Sequence, residues 1–182
     1  MIFVAGLSLL FLGFLLYTYF TGDIFSVENR YDAIIRDAAK RHCVDSSLLK
    51  AVIWKESSFD PNVRGSKGEI GLMQLRRKAA VQDWAEHNNV PLPCEGVIFN
   101  PRLNIEIGAW YLSRSIKKWD EYRCSDELGL CEYNAGGKKA AKWKPDDRDG
   151  DVVGRITYRS TRAYVESIMN KYLEYSERKA GR

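Results

Sequence analysis

Glu56 occupies a position where a helix ordinarily buries an apolar side chain. The stretch from Asp45 to Glu56 reads as an amphipathic helix in which Leu49, Val52, Ile53 and Glu56 share one stripe. Asp45 is the expected N-cap, and Asp60-Pro61 forces an exit soon after the helix. A carboxyl on the core-facing side of a helix C-terminus meets two effects that disfavour its ionisation, desolvation and the negative end of the helix dipole. An acid kept protonated near neutral pH suits general acid catalysis. The competing reading from position alone is a glutamate that ends its helix and bends out to water.

Two other segments supply groups that could serve such an acid. Gly68-Glu69-Ile70-Gly71-Leu72-Met73-Gln74 follows it in a glycine-rich stretch, and Tyr133-Asn134-Ala135-Gly136 closes a later helix. Metal chemistry has no comparable grouping. No C-x-x-C occurs, and His42 and His87 lack zinc-type spacing. Setting Gly150 at the sixth position of a calcium loop puts Pro145 first and Ile156 last, and neither can be a ligand. The acidic run Asp146 to Asp151 therefore reads as a solvated turn, and no metal or cofactor is expected. Lys138, Lys139, Lys142 and Lys144 read either as contacts to an anionic polymer or as a wet helix face. A net charge of +4 favours anionic partners only mildly, and no nucleic-acid motif accompanies it, so nucleic acid is not an expected partner.

The elements that must position these groups are mostly helices. Tyr31, Ile34, Ile35, Ala38 and Ala39 line the buried side of one, and the Glu56 helix follows. Residues 60–71, with Pro61, Gly65, Gly68 and Gly71, form a loop or a small β element. Leu72 to about His87 is expected to be helical, and Asn88 to Pro101 is a connection. Ile105, Gly108, Ala109, Leu112, Ile116 and Trp119 share a face of a helix from Asn104 to Trp119. Ser125 is the expected cap of a helix to Asn134, ended by Gly136-Gly137. A last helix from about Ser160 carries Tyr164, Val165, Ile168, Tyr172 and Leu173 inward. The fold class is mainly α with one glycine-rich loop or small β element.

With 45% hydrophobic and 12% aromatic residues, the chain has the composition of a folded globule rather than a disordered segment. Residues 2–20 contain no charged side chain. As a helix they would span roughly 28 Å, close to a bilayer's hydrocarbon thickness. Lacking a basic n-region and a small-x-small cleavage site, the segment reads as an uncleaved transmembrane helix rather than a signal peptide. The expected layout is an anchor at 1–21, a linker at 22–29, a folded domain at 30–176 and a basic tail at 177–182. Cys124 and Cys131 border one short helix at a separation of about 10 Å, too far to bridge each other. The four cysteines are therefore either paired across, with Cys43 and Cys94 as partners, or all buried free thiols.

Read in order, Glu56-Ser57-Ser58-Phe59-Asp60-Pro61, Gly71-Leu72-Met73-Gln74 and Tyr133-Asn134-Ala135-Gly136 resemble the catalytic domain of the soluble-lytic-transglycosylase family. Asn100-Pro101 with Asn104-Ile105, Gly108 and Tyr111-Leu112, and then Thr161-Arg162-Ala163-Tyr164-Val165, extend the resemblance over roughly residues 30–175. The resemblance implies a lysozyme-like fold acting on peptidoglycan glycan strands, without a cofactor. The bond cleaved would join N-acetylmuramic acid to N-acetylglucosamine, leaving 1,6-anhydromuramoyl ends. Glu56 would be the sole catalytic acid and base, and Ser57 would help fix the helix end. Gly71, Leu72, Met73 and Gln74 would line the substrate groove. Tyr133 would stand near the reaction centre, its hydroxyl orienting Glu56 or the sugar, presented by Asn134 and Gly136. With residues 2–20 read as the anchor, the chain is expected to be a single-pass protein of the inner membrane; the resemblance implies that its catalytic domain is periplasmic or extracellular, with proteins of an envelope machine as candidate partners.

The chain departs from the family pattern at several positions. Gly65 stands where the family often has a serine that contacts the acetamido group, with Ser66 beside it as the substitute. Glu132 replaces a small residue, and reads as a solvated helix residue or a second carboxyl in the groove. Ser160 replaces an acidic residue, and no proline follows Gln74. Alternative functions are a goose-type-lysozyme-like muramidase, a non-catalytic peptidoglycan-binding scaffold module and a cytoplasmic membrane-tethered protein.

Overall fold

A computed structural model describes residues 27–181. The expected anchor and most of the linker lie outside the described residues. Among the described residues no helix is long and apolar enough to cross a membrane. The chain divides into two compact units between Asp32 and Ala33, and the site lies in the second.

Helix α1 spans Asp32–His42 and α2 spans Ser46–Ser57. A hairpin of β1, Glu69–Ile70, and β2, Leu75–Arg76, follows; it is antiparallel and pairs Glu69 with Arg76 and Ile70 with Leu75. Next come a π-turn over Arg77–Val81, α3 over Gln82–His87 and α4 over Glu95–Ile98. Helix α5 covers Pro101–Lys117, α6 Ser125–Ala135, α7 Gly137–Trp143 and α8 Arg159–Ala180. Helix α2 packs along α8, and α6 packs against α5, α7 and α8.

Helix α2 is more central than a one-sided stripe suggests. Leu48, Leu49, Ala51, Val52 and Ile53 are all buried, so apolar side chains surround most of the helix. Each large one contributes roughly 1.5–3 kcal/mol on burial. Asp45 caps the helix as expected, accepting a hydrogen bond from the Ser47 amide at 2.6 Å. The exit after Glu56 is sharper than proline alone requires: Ser58 and Phe59 both take left-handed backbone, at φ 50° and 66°. A bulky residue rarely adopts that conformation, and the buried Phe59 ring holds it there.

The expected helix from Leu72 is corrected. Leu72 to Gln74 form the turn of the hairpin, and helical structure begins at Arg77. The cause is backbone geometry: Gly71 and Gln74 sit at φ 74° and 47°, which an α-helix cannot contain. Helix α5 starts earlier than expected, at Pro101, because the Asn100 side chain accepts from the amides of Arg102 and Leu103. Ser125 is the first residue of α6 rather than its cap; Cys124 takes that position without a side-chain bond. Leu173, expected inward, is 58% exposed on the far face of α8. The four cysteines are unbridged, Cys43 and Cys94 exposed, Cys124 and Cys131 buried. Burial pushes the Cys131 thiol up to about 12, with the nearby Cys124 adding to the shift.

Candidate active site

The last turn of α2 delivers Glu56 against α8. The Tyr164 hydroxyl donates to Glu56 Oε1 at 2.7 Å. Burial pushes the Glu56 carboxyl up to about 7, and this effect outweighs the Tyr164 hydrogen bond, which favours the carboxylate. Of the two neighbouring charges, Glu69 raises it further and Lys55 lowers it. Burial also lifts the Tyr164 phenol well above its ordinary range, with the Glu56 charge adding, so Tyr164 remains a donor.

The Gly71–Gln74 turn forms a second wall. Asn104, fully buried on α5, braces it from behind. Its Oδ1 accepts from the Met73 amide at 2.8 Å, and its Nδ2 donates to the Ile70 and Ile98 carbonyls at 2.9 and 3.0 Å. Gly71 lets that amide approach, since a Cβ there would lie 2.6 Å from Asn104 Nδ2. From the other side, the Tyr133 hydroxyl donates to the Met73 carbonyl at 2.8 Å. Tyr111 packs edge-on against Tyr133 with ring centroids 5.6 Å apart. Tyr133 is close enough to Glu56 for that carboxylate to help raise its phenol, after burial, well above the ordinary range.

The residues expected from sequence fall into distinct positions. Glu56, Tyr133 and the Gly71–Gln74 turn come together. The Tyr133 hydroxyl, however, is engaged by the Met73 carbonyl, and Tyr164 is the residue that donates to Glu56. Leu72 and Met73 are fully buried, so this turn presents backbone rather than those side chains. Gln74 is half-buried and ties the turn together, its Nε2 donating to the Val63 and Gly71 carbonyls at 3.1 and 2.9 Å. Ser57 is buried and donates to the Ile53 carbonyl at 3.2 Å, securing the helix end. Asn134 accepts from the Thr161 hydroxyl at 2.9 Å and thereby joins α6 to α8. Ser66 is exposed at the hairpin approach, and Gly136 ends α6 at φ 86°. Glu132 is neither free in solvent nor beside Glu56 in hydrogen bonding: it accepts from Lys118 Nζ at 2.9 Å and Trp119 Nε1 at 3.1 Å.

Tyr164, Asn104 and Glu69 were not legible as site residues. Tyr164 reads as one more aromatic at helical spacing, although a buried tyrosine hydroxyl always raises the question of its partner. Asn104 on the apolar face of α5 gives the clearest missed signal, because a buried amide needs several hydrogen bonds.

A family model of the transglycosylase SLT domain matches residues 33–152. The chain belongs to the SLT domain family. Among the curated relatives of this SLT domain is membrane-bound lytic murein transglycosylase C of Pectobacterium atrosepticum, 27% identical over 155 residues that cover 79% of this chain and 42% of that protein. Lytic transglycosylase Slt of Pseudomonas aeruginosa was solved as an inactive mutant with glutamine in place of a glutamate. It matches with a TM-score of 0.71 and 26% identity over 81% of this chain and 24% of its own. The 70 kDa soluble lytic transglycosylase of Escherichia coli matches with a TM-score of 0.70 and 25% identity, over the same shares of the two chains. The SLT domain chain spans less than half the length of these curated relatives, and about a quarter of several of them.

Proposed function

We propose that this SLT domain is a peptidoglycan lytic transglycosylase, with Glu56 as its one catalytic acid and base. The observation that carries the reading is a half-buried carboxyl, raised to about 7 by desolvation, that accepts a hydrogen bond from Tyr164 through one oxygen. Because Tyr164 donates to Oε1, the acidic proton belongs on Oε2, from which it passes to the glycosidic oxygen. The Tyr164 hydrogen bond stabilises the carboxylate as it forms. The substrate's acetamido oxygen shields the cationic anomeric carbon, as in other substrate-assisted glycosidases. Burial then makes the carboxylate a base, which takes the proton from the muramoyl 6-hydroxyl as that oxygen closes on C1. Glu56 ends protonated, water is not consumed, and the product is a 1,6-anhydro ring. One carboxyl can serve both steps because its pKa lies near the working pH.

In this reading Gly71 and Gln74, with the backbone of Leu72 and Met73, form the substrate wall, and Tyr133 sets its height. Ser57 and Asn134 hold the ends of α2 and α6 in place, and Ser66 lies where a strand would enter. Residues 1–21 anchor the domain to the cytoplasmic membrane with its catalytic face toward the wall, where envelope proteins could recruit it. A reporter fused at the C-terminus tests this topology; activity of a cytoplasm-only reporter would overturn it.

The deciding experiment is mass spectrometry of muropeptides released from purified sacculi by the chain after residue 21. Products lighter by one water than reducing muropeptides support the lyase. Reducing ends would make the domain a hydrolase, and no release would make it a binding module.

A further inference from the structure

Helices α1, α3 and α5 enclose a cleft of about 760 Å³ whose lining does not include Glu56, Tyr164 or the Gly71–Gln74 turn. Its size falls within the range of small-ligand sites. Trp110 of α5 is half-buried in its wall. The exposed His87 ring of α3 leans on that indole, with centroids 5.2 Å apart. Arg114 lies over the same ring at 5.5 Å and donates to Asp83 Oδ2 at 2.8 Å, so α3 and α5 together fix the indole. At α1, His42 Nε2 lies 2.7 Å from Glu106 Oε1, and Arg41 Nε donates to Glu106 Oε2 at 3.1 Å. The Ser113 hydroxyl donates to the His42 carbonyl at 2.6 Å. The three walls are thus joined before any ligand arrives, which lowers the cost of binding.

What those bonds leave free defines the ligand. Trp119 and Trp143 commit their indole N–H groups to Glu132 and Thr157. Among the described residues the Trp110 N–H has no protein acceptor, and it stands open to water. Glu86 and Lys117, both exposed on the cleft rim, have no ion partner among the described residues; Glu86 accepts only from the neutral Gln82 amide, at 2.8 Å. An indole beside an imidazole, with a donor at its edge, suits the apolar face and hydroxyls of a pyranose ring. Rim charges of opposite sign suit a ligand that carries both ammonium and carboxylate groups, whereas Asp83 and Glu86 repel a polyanion. A muropeptide combines the two, a sugar and a charged peptide stem. We propose that the cleft is a second muropeptide site, in which Trp110 and His87 hold a sugar while Lys117 and Glu86 hold the charged groups of its stem. Tyr111, the next residue of α5, packs on Tyr133 instead, so one helix serves both sites from adjacent positions. Holding uncut wall in the cleft raises the local concentration of the strands that Glu56 attacks. The identity of the polymer rests on the transglycosylase reading.

The test is NMR of the five tryptophan indoles in the full chain carrying Glu56→Gln, so that the ligand is not consumed. The Trp110 resonance is assigned by its loss in Trp110→Phe or, should that variant not fold, by its Overhauser contacts to His87. A purified disaccharide-peptide muropeptide is titrated in, and then the disaccharide alone. The muropeptide should shift the Trp110 resonance saturably, and the disaccharide should bind about tenfold more weakly. Lys117→Glu, an exposed change, should weaken muropeptide binding by about the same factor. An unmoved Trp110 resonance, equal affinity for the disaccharide alone, or an unaltered titration in Lys117→Glu overturns the proposal. The last comparison also separates the cleft from the catalytic groove, whose occupation would reach Trp110 through Tyr111 whatever stands at position 117. A wild type that releases no anhydro product from sacculi defeats the functional reading instead, and the titration still decides this one.

Discussion

Tyr164 donates its hydroxyl to Glu56 across 108 positions of sequence, at 2.7 Å. The bond locks the carboxyl rotamer and favours its ionised form, so its removal has a definite sign. Tyr164→Phe should raise the Glu56 pKa above about 7 and shift the alkaline limb of the rate profile upward. Activity should drop roughly ten- to a hundredfold, matching the 1.5–3 kcal/mol of a hydrogen bond to a charged group. A limb that moves downward would contradict this assignment.

Glu56 itself makes the fold pH-sensitive. Its folded value of about 7 stands above the ordinary 4.5, so the folded state holds the extra proton between those limits. Stability is then greatest below the lower value and falls as pH rises through the upper one. Glu56→Gln should be more stable than wild type by about 3 kcal/mol near pH 8, with the difference vanishing below about pH 4. The same variant should release at least about a hundredfold less anhydro product. Paired thermal unfolding curves across pH read the first effect and muropeptide analysis the second.

Asn104→Ala tests the brace behind the Gly71–Gln74 turn. The substitution strands the Met73 amide and the Ile70 and Ile98 carbonyls, which the asparagine now satisfies. Each buried group left unpaired costs about 1–3 kcal/mol, so a loss of roughly 3 kcal/mol is expected by denaturant unfolding, with activity falling further than stability alone explains. A variant as stable as wild type would mean that water replaces the amide.

Gly108→Ala probes the same turn from α5. An added Cβ would lie 2.2 Å from Met73 Sδ, so Met73 must move. Overpacking of this kind costs about 1–3 kcal/mol, and the shift should be transmitted to the Tyr133 contact with the Met73 carbonyl. Raised KM with modest loss of stability is the expected result in steady-state assays.

Local signals made the helices of this domain legible. Asp45 caps α2 and Gly136 closes α6 because capping chemistry is written in neighbouring residues. Leu72 to Arg76 carries helix-compatible residues yet forms the turn and second strand of the hairpin, because the left-handed backbone at Gln74 is held by side-chain bonds to Val63 and Gly71 rather than by its own preference. Leu173 faces solvent because it lies on the side of α8 turned away from the buried Ile168 and Tyr175.

Sequence by itself determined that a carboxyl would ride the apolar side of a short helix, and that three motifs in order belong to an SLT domain, because periodicity and residue type are local properties. Only the tertiary structure decided which groups surround that carboxyl. Tyr164, Glu69 and the Asn104 brace arrive from three distant segments, and desolvation and Coulomb interactions depend on distance through space rather than along the chain.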